Sequence, residues 1–196
     1  MLASAQFMLK NQIRKSLFEQ GLALSNRAVQ ENNKEIQKRV IDNFELSLMK
    51  NILMYFPFRQ EIEVNLISEE LKKFSNEIYM PKLLSNRKMV FNKFVEGQNL
   101  TKNNYGILES DSEVYLEPVK FDVMFIPFVG VDLNGFRLGY GGGYFDRALS
   151  NINHHKEKPL VIGLGYEYQL LDADFGEPHD LRYNKVVTEN RIHIFD

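Results

Sequence analysis

Asp122-Val-Met-Phe-Ile-Pro-Phe128 opens on one acid and continues as an unbroken apolar run. A strand with one wet face alternates polar and apolar residues, so a short uniformly apolar run fits a strand covered on both faces. Pro159-Leu-Val-Ile-Gly-Leu-Gly-Tyr166 is a second run of this kind. A sheet buried on both sides needs helices to cover it, and the rest of the chain supplies them.

Residues 4–24 contain no Pro, and Met8, Ile13 and Leu17 recur at roughly helical spacing, which predicts an amphipathic helix broken at Gly21. Lys10 and Arg14 are four apart, which puts both cations on one face. Ser25 opens a second helix whose core stripe runs Ile36, Val40, Ile41, Phe44 and Leu48. Residues 51–58 read as a buried strand, Leu66, Leu71 and Phe74 mark a third helix, and a strand at 78–80 stops against Pro81. Residues 88–94 add a strand, the polar stretch 95–112 reads as an exposed, mobile loop, and 144–152 as a helix. Short strands at 185–188 and 191–195 close the chain. The expectation is an α/β protein: a single three-layer domain over residues 1–196 with a largely buried, mostly parallel sheet flanked by helices.

Composition narrows the function classes. With 24 basic against 26 acidic residues and a net charge of -2, nothing points to a nucleic-acid partner. The absence of cysteine excludes a disulfide framework and thiolate chemistry. No apolar stretch approaches the ~20 residues that cross a bilayer, and the N-terminus lacks a signal-peptide pattern, so no membrane partner and a cytoplasmic location are expected.

The segment richest in chemistry is Arg137-Leu-Gly-Tyr-Gly-Gly-Gly-Tyr-Phe-Asp146. Glycine lets backbone N–H groups turn toward an anion, and a helix opening at 144 would add its dipole. Glycine clusters also serve hairpins and close helix packing, so both readings stay open for the segment alone. Arg137, Asp146 and Arg147 frame it with cations and a carboxylate able to bind magnesium. The run lacks the Lys-Ser/Thr end of a P-loop, and Tyr144 replaces the third glycine of a dinucleotide fingerprint.

Over the longer span Asp132-Leu-Asn-Gly-Phe-Arg-Leu-Gly-Tyr-Gly-Gly-Gly-Tyr-Phe-Asp-Arg147 the sequence resembles the signature of the 5-formyltetrahydrofolate cyclo-ligase (methenyltetrahydrofolate synthetase) family. Lys10 and Arg14 are similar to its N-terminal basic pair, Glu61-Ile-Glu63 to its acidic substrate segment, and 162–169, His179-Asp180 and Val186-Val-Thr-Glu189 to its C-terminal segments. The resemblance implies an ATP-dependent ligase of folate one-carbon metabolism that closes 5-formyltetrahydrofolate to 5,10-methenyltetrahydrofolate with release of ADP and phosphate. By its pattern Lys10, Arg14, Arg137, Leu138, Gly139, Tyr140, Gly141, Gly142, Gly143, Tyr144 and Phe145 would hold ATP. Glu61 would contact the pterin, and Tyr140, Gly141, Gly142, Gly143 and Tyr144 would also touch the folate. Arg137, Tyr144 and Asp146 would serve the reaction, with Asp146 and Asp180 on Mg2+. The implied partner is a folate, with or without a polyglutamate tail, and the implied assembly a monomer or weak homodimer.

Two departures stand out. Asn184 replaces a common Asp, which would thin the negative charge near the metal, and Glu109-Ser110 replaces Glu-Pro. Competing expectations are an α/β enzyme of the sugar-phosphate isomerase or CoA-transferase kind that uses the glycine turn without ATP, and a folate- or nucleotide-binding protein without turnover. Tyr55, Phe56, Phe58, Phe125 and Phe128 read as core, and His154 and His155, beside Lys156 and Lys158, as surface.

Overall fold

The computed structural model describes residues 2–152, 155 and 157–195, and the side chains of that set from residue 6 onward. Its centre is a seven-stranded sheet assembled from β1 (Asn51–Leu53), β2 (Glu77–Leu83), β3 (Met89–Phe94), β6 (Val123–Pro127), β9 (Leu160–Leu164), β10 (Lys185–Val187) and β11 (Ile192–Ile194), in the order β11-β10-β9-β6-β1-β2-β3. The neighbours from β10 to β2 run parallel, and β11 and β3 are antiparallel edges.

The doubly apolar runs behave as their composition requires. In β6, Val123 and Phe125 enter one core with Ile36 and Val40 of α2 (Asn26–Asn43) and Ile67 and Leu71 of α3 (Asn65–Leu71). Met124 and Ile126 enter a second core on the other face, with Phe145 of α4 (Tyr144–Ala148) and the following Leu149 and Ile152. Every residue of β6 is buried, so the strand is a partition between two cores, and the expected layers of helix, sheet and helix follow. Ser25 caps α2 by accepting the Ala28 N–H at 3.2 Å.

Several local expectations change. Strand β2 runs through Pro81. The Tyr79 carbonyl faces β1, where it takes the Met54 N–H, so alternation turns the Pro81 nitrogen to the same side. Strand β1 has ended by then, and no ladder bond is lost. The buried strand expected over 51–58 is therefore only three residues long. In α1 (Leu2–Leu22) the buried positions among the described side chains are Lys10, Leu17 and Gly21, while Met8 is 60% exposed. Gly21 does not break that helix: it lets the helix press on a neighbour, since a Cβ there would lie 2.6 Å from Tyr168 Oη. Leu48, expected in the stripe of α2, lies beyond that helix and is 76% exposed.

The stretch 95–112 is not an unstructured loop. It folds into a hairpin of β4 (Leu100–Lys102) and β5 (Leu108–Ser110), with Glu109 and Ser110 buried. A second small hairpin pairs β7 (Gly130–Val131) with β8 (Arg137–Leu138) and carries the chain into the glycine turn. His155 and Lys158 are exposed, while His154 and Lys156 lie outside the described residues. No helix among the described residues is long and apolar enough to cross a membrane.

Candidate active site

The chain reverses its direction of travel across the sheet between β1 and β6, since the connection from β1 goes one way to β2 and the later strands go the other. Open α/β sheets bind ligands at the carboxyl ends of their strands beside such a point. The residues that follow β1 (Tyr55 to Glu61) and end β6 (Pro127) meet there with the glycine segment.

That segment is a wall between two cavities. Arg137, Leu138, Gly139, Gly141 and Gly143 line a cleft of about 360 Å3 together with Lys10, Arg14, Asp146, Arg147, His179 and Asp180. Arg137, Tyr140, Gly142, Gly143, Tyr144 and Phe145 line a second cavity of about 240 Å3, walled by Tyr55, Phe56, Phe58, Glu61 and the β4–β5 hairpin. Positions 139 and 141 face the charged cleft and 140, 142 and 144 the aromatic cavity, while Arg137 and Gly143 border both. Gly141 and Gly143 hold φ of +97° and +61°, left-handed values that a side chain resists.

Arg137 is anchored rather than free. It is 7% exposed, its Nε donates to the Pro127 carbonyl at 2.8 Å, and its guanidinium lies 5.1 Å from the centre of the Phe145 ring. Asp146 Oδ2 is 3.9 Å from its Nη1. Phe145 thus supports Arg137 from the core and lines the aromatic cavity, and with Tyr140, Gly142 and Tyr144 it lies off the cleft where the full segment was expected. Leu138 is 1% exposed, so it offers the cleft little beyond backbone.

The basic pair arrives from α1. Arg14 Nε donates to the Gly139 carbonyl at 2.8 Å and pins the turn, with its guanidinium lowered in pKa by burial and by Arg137 against the opposing pull of Asp180 and Asp146. Lys10 Nζ sits 2.6 Å from Asp180 Oδ2 and 2.7 Å from Glu177 Oε2. Burial would lower the pKa of Lys10, but the hydrogen bonds and charges of these two acids outweigh it and hold the ammonium above its ordinary range. Glu177, which no local pattern singles out, is therefore part of the cleft's charge balance. Glu177, His179 and Asp180 form a group spaced closely enough to share a cation, and Asp146, expected to pair with Asp180, is outside it. Asp146 Oδ1 accepts the Leu181 N–H at 3.1 Å.

In the aromatic cavity Glu61 Oε2 accepts the Phe58 N–H at 2.8 Å. Burial lifts its carboxyl to about 7, against the lowering effects of that bond and of Arg137. The Tyr140 ring packs 5.4 Å from Phe58 and 5.6 Å from Phe18, its hydroxyl donates to the Phe58 carbonyl, and Arg59 caps the cluster 4.9 Å from the centre of the Phe58 ring. Tyr55 and Phe56 serve both core and cavity, Phe58, expected in the core, is half-buried and lines the cavity without joining either core, and Phe125 and Phe128 belong to the cores. Tyr105, at the hairpin tip, brings its hydroxyl 3.4 Å from that of Tyr144. Asn103, Tyr105 and Glu109 were hidden in a stretch read as loop; Gly106, in the short connection between Lys102 and Leu108, is the hairpin signal that could have found them. The nucleus for a helix dipole is slight, since α4 has five residues.

Asn184 stands away from this site. Its Oδ1 accepts the Val161 N–H at 2.8 Å at the amino end of β9, whereas the cavities lie at the carboxyl ends of the strands. It does not thin the charge of the cleft.

A model of the 5-formyltetrahydrofolate cyclo-ligase family matches residues 7–189. Relatives include a 5-formyltetrahydrofolate cyclo-ligase of Haemophilus influenzae, 29% identical over 74% of this chain and 80% of its own length. Another is that of Mycoplasma pneumoniae, 27% identical over 93% of this chain and 99% of its own. Among solved structures, the fold is similar to a 5,10-methenyltetrahydrofolate synthetase of Aquifex aeolicus, with a TM-score of 0.80 and 24% identity, covering 95% of this chain and 92% of that one. The corresponding Mycoplasma pneumoniae structure gives a TM-score of 0.75 over 92% and 98%. None of these names an isomerase or a CoA transferase. With the match spanning both cavities and the wall between them, the chain belongs to the 5-formyltetrahydrofolate cyclo-ligase family.

Proposed function

We propose that this protein, acting as one domain, closes 5-formyltetrahydrofolate to 5,10-methenyltetrahydrofolate while ATP becomes ADP and phosphate. The observation that carries the reading is the shared border: a cationic cleft and an aromatic cavity meet at Arg137 and Gly143. The nucleotide phosphates suit the cleft, with Lys10, Arg14 and Arg137 as their cations. The pterin suits the cavity, with Glu61 accepting its adjacent 2-amino and N3–H donors.

The chemistry explains the two compartments. A formamide oxygen cannot leave as hydroxide at neutral pH. Transfer of the terminal phosphoryl group to that oxygen breaks the bond to ADP and leaves an iminium-like phosphate ester at N5. N10 attacks its carbon, gives up a proton, and phosphate departs with the C–O bond's electrons. The transfer asks the protein for alignment and charge neutralisation, which suits a site with an anchored Arg137 and no serine or cysteine nucleophile.

Asp146 and Asp180 fit a role on Mg2+: both line the cleft, and each keeps an oxygen that takes no hydrogen bond from the described residues. Mg2+ bound there would offset phosphate charge. Tyr144 and Arg137 then flank the transfer from the cavity side and the shared border. The remaining parts of the reading are a cytoplasmic enzyme, a monomer or weak homodimer, and a folate with or without extra glutamates.

The test is direct: pure protein mixed with 5-formyltetrahydrofolate and Mg-ATP should develop the absorbance of methenyltetrahydrofolate. No ATP-dependent signal would overturn the proposal.

A further inference from the structure

Glu109 is buried in the wall of the aromatic cavity without a counterion. The residue is 6% exposed, and no lysine, arginine or histidine among the described residues forms an ion pair with it. Its Oε1 accepts the Leu83 N–H at 2.9 Å and an Asn103 Nδ2–H at 2.8 Å. The orientation of Asn103 is fixed, because its own Oδ1 accepts the N–H groups of Tyr105 and Ile107. Ser110 next to it is fully buried and donates to the Lys93 carbonyl at 2.8 Å, so the strand holds Glu109 in place.

The other oxygen is different. Glu109 Oε2 takes no hydrogen bond from the described residues. The one sealed side-chain atom among them that lacks a partner is Asn76 Oδ1, so Glu109 Oε2 is not sealed, and the residue that carries it lines the aromatic cavity. A buried carboxylate with neither cation nor full set of donors is costly, and a donor brought by a ligand would offset that cost.

We infer that Glu109 is a second substrate acceptor, and that it reads the N8–H of the reduced pterin. This rests on the reading above, in which Glu61 takes the 2-amino and N3–H donors. The formyl group occupies N5, so N8–H is the remaining N–H of the ring system. A pterin reduced at that edge presents a donor to Glu109, whereas the fully oxidised ring presents a lone pair that a carboxylate oxygen repels. Glu109 therefore selects substrate by oxidation state, from a wall of the cavity that Glu61 does not share.

The experiment titrates the full chain with 5-methyltetrahydrofolate and with folic acid and compares Kd values for the wild type and Glu109→Gln. The wild type should prefer the reduced ligand. The amide of the variant can donate to the oxidised N8, so the ratio of the two Kd values should collapse by about 10- to 100-fold, with KM for ATP unchanged. A ratio within threefold of the wild type overturns the inference, as does failure of the wild type to bind either ligand. If Glu109→Gln does not fold, Glu109→Asp withdraws the carboxylate by one methylene and should weaken the reduced ligand alone; equal weakening of both, or none, is the refuting result. Because binding is the readout, absence of turnover would sink the proposed reaction without deciding the role of Glu109.

Discussion

Gly139→Ala puts the anchoring of Arg137 to the sharpest test. A Cβ at position 139 would lie 2.5 Å from Arg137 Nη1, 2.8 Å from Nη2 and 2.9 Å from Cζ. Ordinary carbon–nitrogen contacts begin at about 3.4 Å, so the guanidinium has to retreat by roughly 0.9 Å. It cannot do so freely, since Nε is bonded to the Pro127 carbonyl and the plane rests on Phe145. A displacement of about 1 Å at a group that aligns reacting atoms costs on the order of 100-fold in rate, or about 2.7 kcal/mol of activation free energy. Stability should change far less. The backbone at 139 is not left-handed, so alanine introduces no strain there and restricts the unfolded chain by about 0.4–1 kcal/mol, partly offsetting the disturbed contact. The assay is kcat with both substrates saturating, beside Tm. A variant with kcat within threefold of the wild type and an unchanged Tm would show that the position of Arg137 does not set the rate.

Three further outcomes follow from particular contacts. Glu61 in the folded chain keeps its proton to about 7 against an ordinary value of 4.5, so its contribution to stability is fully present below 4.5 and is lost as pH rises to 7. Glu61→Gln should remove that slope, worth up to about 3 kcal/mol; urea midpoints at pH 5 and 8 that change alike in wild type and variant would refute it. Asn184→Asp should leave the KM for ATP and the Mg2+ dependence within twofold, because the side chain serves the Val161 N–H at the far end of the sheet. A marked change in either would place position 184 in the cleft's field after all. Lys10→Met should raise the KM for ATP by about tenfold or more and leave that for the folate unchanged, since it removes the cation held between Asp180 and Glu177. Equal effects on both KM values would count against separate compartments.

Elements whose burial is two-sided were legible because their composition admits one environment: β6 and β9 read directly from their apolar runs. Pro81 misled because its effect depends on what lies beside it, and the early end of β1 is a tertiary fact. The face of α1 misled for a related reason. Its buried stripe carries Lys10, and a buried lysine is readable only when the acids that neutralise it, 167 and 170 residues away, are known. The glycine segment was legible as a turn framed by Arg137, Asp146 and Arg147, but its alternation between two cavities was not, because periodicity shows where side chains point and four of these positions have none. Glu109 was hidden by the polar composition of its hairpin, which resembles that of a solvated loop.

The glycine wall has a consequence for how the two halves of the site can be altered. At its four glycines the partition is bare backbone, as thin as a polypeptide allows, with no side chain to lose, so every substitution at those positions adds volume. Parity then decides where the added volume goes: toward the cleft from 139 or 141, toward the aromatic cavity from 142. Neighbouring residues of one peptide thereby address different cavities, and a single step along the chain switches which of them feels the change.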